Sequence, residues 1–180
     1  MMNLQILYDN ESIDPRLHSG WGFSCLVDGR VLFDTGESGQ KLMANIETLG
    51  IDPKQIEEIL ISHPHWDHTD GLGLLREQIP RVPIYLPKGA IRSYPKPPDL
   101  GGARVRLCPD RVKVGVGEST GTFASAYKGK AMPEQGLVVH GDYGVSLITG
   151  CAHPGILDMA ESVAAAYPRD ELYALIGGFH

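Results

Sequence analysis

The chain has 180 residues, of which 42% are hydrophobic and 21% charged, proportions that predict one globular domain over residues 1–180 with its own core. Sixteen Lys and Arg against 22 Asp and Glu give a formal charge of -6, and no basic stripe with interleaved aromatics is present, which argues against nucleic acid as a partner. Cys25, Cys108 and Cys151 are too few and scattered for a disulfide framework, the first eight residues lack the parts of a signal peptide, and no apolar run approaches the ~20 residues of a membrane helix. The expectation is a cytoplasmic protein that acts on a small molecule, away from membranes.

In chain order, Leu4 to Tyr8 reads as an edge strand. Phe23 to Val27 and Val31 to Phe33 are β-rich runs joined through Asp28-Gly29, a two-residue hairpin signal. A helix is predicted over Ser38 to Leu49, with Leu42, Ile46 and Leu49 on one face and Gly50 as its C-terminal stop. Asp52-Pro53 opens a short helix, Glu58 to Ser62 is a strand, Gly71 to Gln78 a helix and Val82 to Leu86 a strand. Pro87 to Gly102, with four prolines, reads as a surface loop holding one helical turn. Strands follow at Val105 to Leu107, Val112 to Val116 and Thr122 to Tyr127, then a hairpin pairing Leu137 to Val139 with Val145 to Ile148. The chain finishes with an amphipathic helix over Gly155 to Tyr167 and a strand over Leu172 to Ile176. Many short strands in two groups with helices early and late fit a layered α/β arrangement with a largely antiparallel sheet.

The chemistry concentrates in His63-Pro64-His65-Trp66-Asp67-His68. In an extended segment His63 and His65 project to one side, so their imidazoles can converge on one ion. Asp67 and His68 are adjacent, point differently and suit a neighbouring ion. Imidazole nitrogen and carboxylate oxygen are ligands that Zn²⁺, Mn²⁺ and Fe²⁺ accept. Four such ligands within six residues, in a chain with seven histidines, is more than a polar surface loop calls for. Trp66 is expected to pack beneath the ions.

The segment from Ile59 to Gly71 resembles the His-x-His-x-Asp-His signature of the metallo-β-lactamase superfamily. Leu32-Phe33-Asp34-Thr35-Gly36 resembles the strand and turn that carry an aspartate beneath that cluster. The runs Thr149 to Ile156 and Gly177-Gly178-Phe179-His180 are similar to one branch, that of dihydropterin ribofuranosyl-aminobenzene phosphate synthase-like proteins and many hydrolases. The resemblance implies an αβ/βα four-layer sandwich, minimal or C-terminally truncated, with two divalent metal ions at one edge, zinc first and manganese or iron as alternates. It implies that His63, His65 and His153 hold one ion, that Asp67, His68 and His180 hold the other, and that Asp34 orients a ligand.

Two departures from the family pattern stand out. Cys151 occupies the place of the usual bridging aspartate, where it either bridges as a thiolate or is a small buried residue. Pro133-Glu134-Gln135-Gly136 occupies the place of a further histidine motif, and Glu134 is either a carboxylate ligand or base, or an exposed loop acid. Relatives also continue beyond His180, so a sheet edge is expected to pair with a second copy in a homo-oligomer. In the proline-rich loop, Lys88, Arg92, Tyr94 and Lys96 either grip an anionic group or form a solvated face.

Three functions compete. The first is a binuclear hydrolase of an ester, lactone, thioester or phosphodiester, with Asp67 passing a proton to the leaving group. The second is condensation of a dihydropterin pyrophosphate with an aryl amine, and the third is an inactive metal-binding module.

Overall fold

The computed structural model describes residues 2–93, 100 and 102–179. The chain begins with strands β1 (Leu4–Tyr8), β2 (Ser24–Val27) and β3 (Val31–Phe33), paired antiparallel in sequence. Asp28 and Gly29 make the predicted turn between β2 and β3 at φ 48° and 69°, the left-handed region that Asp-Gly hairpins use. Helix α1 (Gly39–Thr48) is capped by Ser38, whose hydroxyl accepts from the Lys41 N–H, and it buries Leu42 and Ile46. A 3-10 turn (Pro53–Gln55) leads into β4 (Glu58–Leu60), followed by helices α2 (Trp66–Thr69) and α3 (Leu72–Gln78). Strand β5 (Ile84–Pro87), the single turn α4 (Ala90–Ser93) and β6 (Val105–Cys108) close the first half. The first sheet runs in the order β1-β2-β3-β4-β5-β6, with β3 to β6 parallel.

The second sheet starts with β7 (Val112–Val114) and β8 (Gly117–Ser119). A small hairpin, β9 (Ala126–Tyr127) with β10 (Lys130–Ala131), comes before β11 (Leu137–Gly141), β12 (Gly144–Thr149), helix α5 (Ile156–Ala166) and β13 (Leu172–Gly177). Its order is β13-β12-β11-β8-β7, antiparallel except for β12 with β13. Two sequence expectations fail here. The run from 112 to 116 is not one strand, because Gly115 at φ 50° turns it into a hairpin with β8. Thr122 to Tyr127 is not one strand either: after Gly121, at φ 76°, Phe123 makes an isolated bridge to Glu134 before β9 begins.

Alternation along the central strands builds the layers. Val31, Phe33, Leu60 and Tyr85 face Leu137, Val139 and Ile148 between the two sheets. Leu32, Ile59, Ile84 and Leu86 point the other way, onto Leu42 and Ile46 of α1 and Leu72 and Leu75 of α3. Val138, Val145 and Leu147 pack beneath Met159 and Val163 of α5. Strands buried on both faces read as continuous apolar runs, and each fully buried aliphatic side chain contributes about 1.5–3 kcal/mol. The result is the four-layer αβ/βα sandwich. Among the described residues no helix is long and apolar enough to cross a membrane.

Candidate metal centre

Loops leaving the C-terminal ends of β3, β4 and β12 meet at one edge of the two sheets. They bring Asp34, residues 61–68 and residues 150–153 together. Gly150 permits this approach, since a Cβ there would lie 2.1 Å from Ser62 Oγ.

His63, His65 and His153 form one group whose ligand nitrogens all lie within 4.8 Å of one another, and His63, His68 and Cys151 form a second on the same criterion. His63 Nε2 and His65 Nδ1 are 2.9 Å apart, and Cys151 Sγ is 3.3 Å from His68 Nε2. Asp67 Oδ2 lies 3.7 Å from the same His68 nitrogen. Six of the side chains singled out from the sequence are therefore assembled here, while His180 lies outside the described residues, as do Tyr94 and Lys96. Lys88 and Arg92 are exposed.

Two fully buried carboxylates hold the ligands. Asp34 accepts from the Ser62 N–H at 2.6 Å and the Ser62 hydroxyl at 2.6 Å, and pairs with His68 Nδ1 at 2.7 Å. Ser62 Oγ lies 2.8 Å from His63 Nδ1, so this carboxylate orients two imidazoles, one of them through a hydroxyl. A histidine bonded through Nδ1 turns Nε2 toward the metal side.

Glu134 is not the exposed loop acid that the sequence offered as one alternative. It is fully buried and accepts four bonds: from the N–H groups of Cys151 at 3.0 Å, Ala152 at 2.8 Å and His153 at 2.8 Å, and from His153 Nδ1 at 2.9 Å. Three successive N–H groups can reach one carboxylate because Ala152 sits at φ 55°, a costly conformation for a residue with a Cβ. Sequence reasoning also missed Ser62 and Tyr127. Tyr127 sets its ring edge-on to His65 at 4.9 Å and to His153 at 5.4 Å, so the β9-β10 hairpin roofs the first group.

Trp66 does not pack beneath the ions; it is 53% exposed. The extended geometry of 63–65 ends where α2 starts, and residues two apart on a helix point about 200° apart. His68 therefore turns inward while Trp66 turns out.

The electrostatics differ between the two groups. Burial, reinforced by His153, pushes the His65 imidazole down to about 4, which leaves its lone pair free of protons at neutral pH. Burial also works against charge on His68, but the Asp34 carboxylate outweighs it and holds that imidazole well above its ordinary value. Burial would raise the Glu134 carboxyl, yet its bonds from His153 and the backbone hold it below the usual range. Imidazoles and a thiol are a donor set that divalent zinc accepts, so the residues present fit the ions that the family resemblance implies.

Residues 24–157 match the family model of the metallo-β-lactamase superfamily. The chain is 29% identical over 194 aligned residues to 7,8-dihydropterin-6-methyl-4-(β-D-ribofuranosyl)-aminobenzene-5'-phosphate synthase of Methanocaldococcus jannaschii, covering 86% of this chain and 66% of that protein. It therefore spans about two thirds of that relative's length. Among solved structures, Tm1679, a metal-dependent hydrolase of the β-lactamase superfamily, superposes with a TM-score of 0.81 at 30% identity over 100% of this chain and 77% of its own. An N-acyl homoserine lactone lactonase shares the fold, with a TM-score of 0.64 at 15% identity over 99% of this chain and 91% of its own. The chain belongs to the metallo-β-lactamase superfamily.

Proposed function

We propose that this chain is a metal-dependent hydrolase that holds two divalent ions, zinc foremost, with residues 1–180 acting as one domain. The observation that carries the reading is the convergence of His63, His65 and His153 beside His63, His68 and Cys151, with ligands drawn from the loops of both sheets. In this reading the first three imidazoles hold one ion. His68 and Asp67 would hold the other, with the Cys151 thiolate as a further ligand. The ions, when bound, acidify a water from a pKa of ~15.7 towards ~7 and polarise the oxygen of an acyl or phosphoryl group.

The chain's own groups do the rest. Asp34 and Glu134 fix the ligands before any substrate arrives, which removes a reorganisation cost from the reaction. Tyr127 and its hairpin keep water off the first ion's side. The Asp67 carboxylate is partly open to solvent, and it passes a proton to the departing oxygen or sulfur.

The test is elemental analysis followed by assay of bis-nitrophenyl phosphate, lactones and thioesters with added Zn²⁺ or Mn²⁺. Turnover that rises with metal loading to two ions per chain, and that Asp67→Asn abolishes, supports the reading. Fully metallated protein that turns over none of them defeats it.

A second reading is favoured by the M. jannaschii synthase, similar over most of this chain: condensation of a dihydropterin pyrophosphate with an aryl amine. Release of pyrophosphate only when the amine is present would support it against hydrolysis.

A further inference from the structure

Both ions depend on a distance that no single loop sets. His63, His65 and His68 follow β4 of the first sheet, whereas Cys151 and His153 follow β12 of the second. Each ligand group takes members from both sheets. The layer between the sheets is largely apolar, with Phe33, Leu60 and Tyr85 against Leu137, Val139 and Ile148. Apolar contact is non-directional, so it holds the sheets together without placing them to within the ~0.5 Å that a binding constellation requires.

Gln135 crosses this layer and is fully buried. Its neighbours tie it to the second half of the chain. Glu134 and Phe123 exchange backbone bonds at 2.8 and 3.1 Å; the Gly136 N–H bonds Thr120 Oγ1 at 2.9 Å, and its carbonyl accepts the Thr120 N–H at 3.0 Å. From there the Gln135 N–H reaches the Ser62 carbonyl at 2.8 Å. Its side-chain amide donates to the carbonyls of Ile61 at 2.9 Å and Tyr85 at 3.3 Å. Ile61 and Ser62 are the two residues directly before His63. The amide oxygen turns back to the second sheet and accepts the Ser119 hydroxyl at 2.7 Å.

The direction of the amide is over-determined. Flipped, it would set its oxygen against two carbonyl oxygens. The Gly121 N–H donates to Ser119 Oγ at 3.1 Å, which leaves that hydroxyl to give its own proton to Gln135. A buried polar group whose bonds are all made rigidifies what it joins.

We propose that Gln135 is a positioning residue of the metal centre, a strut from Ser119 to Ile61 and Tyr85. It fixes the ligand-bearing end of β4 against the second sheet, and so sets the spacing of His63, His65 and His68 from His153 and Cys151. It acts through the backbone ahead of His63. This rests on the metal-binding reading above and holds for hydrolysis or condensation alike.

The test titrates wild type, Gln135→Met and Ser119→Ala with zinc in a calorimeter, and with Co²⁺, whose visible absorption bands report ligand geometry. Methionine is close to glutamine in length but donates no hydrogen bond. Gln135→Met is expected to weaken both ions by about 10–100-fold and to shift the cobalt bands. Ser119→Ala releases only the far end of the amide and should do both to a smaller degree. Val163→Ala, a truncation in the core beneath α5, is the control for lost stability and should leave affinities and bands unchanged. Wild-type affinities and bands in Gln135→Met, a loss confined to the ion held by His63, or an equal loss in Val163→Ala overturns the proposal. Should Gln135→Met fail to fold, Ser119→Ala decides, and unchanged bands and affinities there overturn it. Wild-type protein that takes up neither zinc nor cobalt defeats the hydrolase reading as well, whereas two bound ions whose affinities ignore Gln135 sink the strut alone.

Discussion

Asp34 and Glu134 are both fully buried carboxylates that organise ligands, yet they are built from different partners. Asp34 bonds one backbone N–H, one hydroxyl and one imidazole. Glu134 bonds three consecutive backbone N–H groups and one imidazole. A hydroxyl rotates and an imidazole exchanges tautomers, so each can serve as donor or acceptor. A backbone N–H only donates. The Asp34 network can therefore reverse its polarity, and the Glu134 network cannot. One carboxylate tunes ligands on a loop that other contacts hold, while the other is what holds its loop.

Glu134→Gln breaks the comparison most sharply. The amide keeps one acceptor oxygen but turns an NH₂ group toward N–H donors, whichever way it is flipped. Loss of a buried charge-assisted set of this kind costs about 3–5 kcal/mol. Cys151 and His153 should both lose their positions, so both metal sites should weaken by more than about a hundredfold. Thermal unfolding and zinc titration would show this; a variant with wild-type stability and affinity would mean that the 151–153 loop is held by something else.

Asp34→Asn should be milder in stability, about 1–2 kcal/mol, because Oδ1 still serves the Ser62 N–H and the remaining partners can reverse. The reversal has a chemical consequence. If His68 Nδ1 becomes the acceptor, its proton moves to Nε2, the nitrogen that faces Cys151, and the second ion loses a lone pair. The expected outcome is a folded protein that binds one zinc near wild-type affinity and the other about 10–100-fold more weakly. Equal loss at both sites would erase the distinction drawn between the carboxylates.

Ser62→Ala sharpens the comparison from the other side. Its hydroxyl is the relay between Asp34 and His63. A cost of about 1 kcal/mol is expected, with weaker metal binding traced to His63. Calorimetric titration should then show the affinity of the ion held by His63, His65 and His153 falling, by less than in Glu134→Gln.

The difference between the two carboxylates also explains what could be read in advance. The ligands at 63–68 are contiguous, so their types and spacing stand out without any fold. Asp34 follows a strand in a recognisable turn. Glu134 has no such mark, because its role depends on Ala152 adopting φ 55°, and nothing about an alanine announces a left-handed backbone. The layers were legible because Val31 to Phe33, Ile59 to Ile61 and Leu137 to Val139 are apolar on both faces of their strands. The hairpin at Gly115 was not, since Gly115-Val116 lacks the Asn-Gly or Asp-Gly signal that revealed the turn at Asp28. Trp66 misled because the switch from extended chain to helix falls inside the ligand run itself. Tyr127 reaches the site from a hairpin about sixty residues away along the chain, and only tertiary contact reveals such a residue.

The smallest effect expected is on pH dependence, and it separates the imidazoles themselves. In metal-stripped protein His65 titrates at about 4, below its unfolded value of about 6.5. Between those values the unfolded chain binds more protons, so this group makes stability rise with pH from about 4 to 6.5 and fall away as the solution is acidified. His68 is shifted the other way by Asp34. Its contribution is complete below the unfolded value and is lost as pH rises through the higher folded one. Stability of the stripped protein from these two groups should therefore climb to near neutrality and then decline. Asp34→Asn should remove the decline and leave the climb, because His65 touches Tyr127 and the other imidazoles, not Asp34. Melting curves across this range, with imidazole nitrogen shifts followed by NMR, would test the assignment. A decline that survives Asp34→Asn would show that His68 owes its charge to some other group.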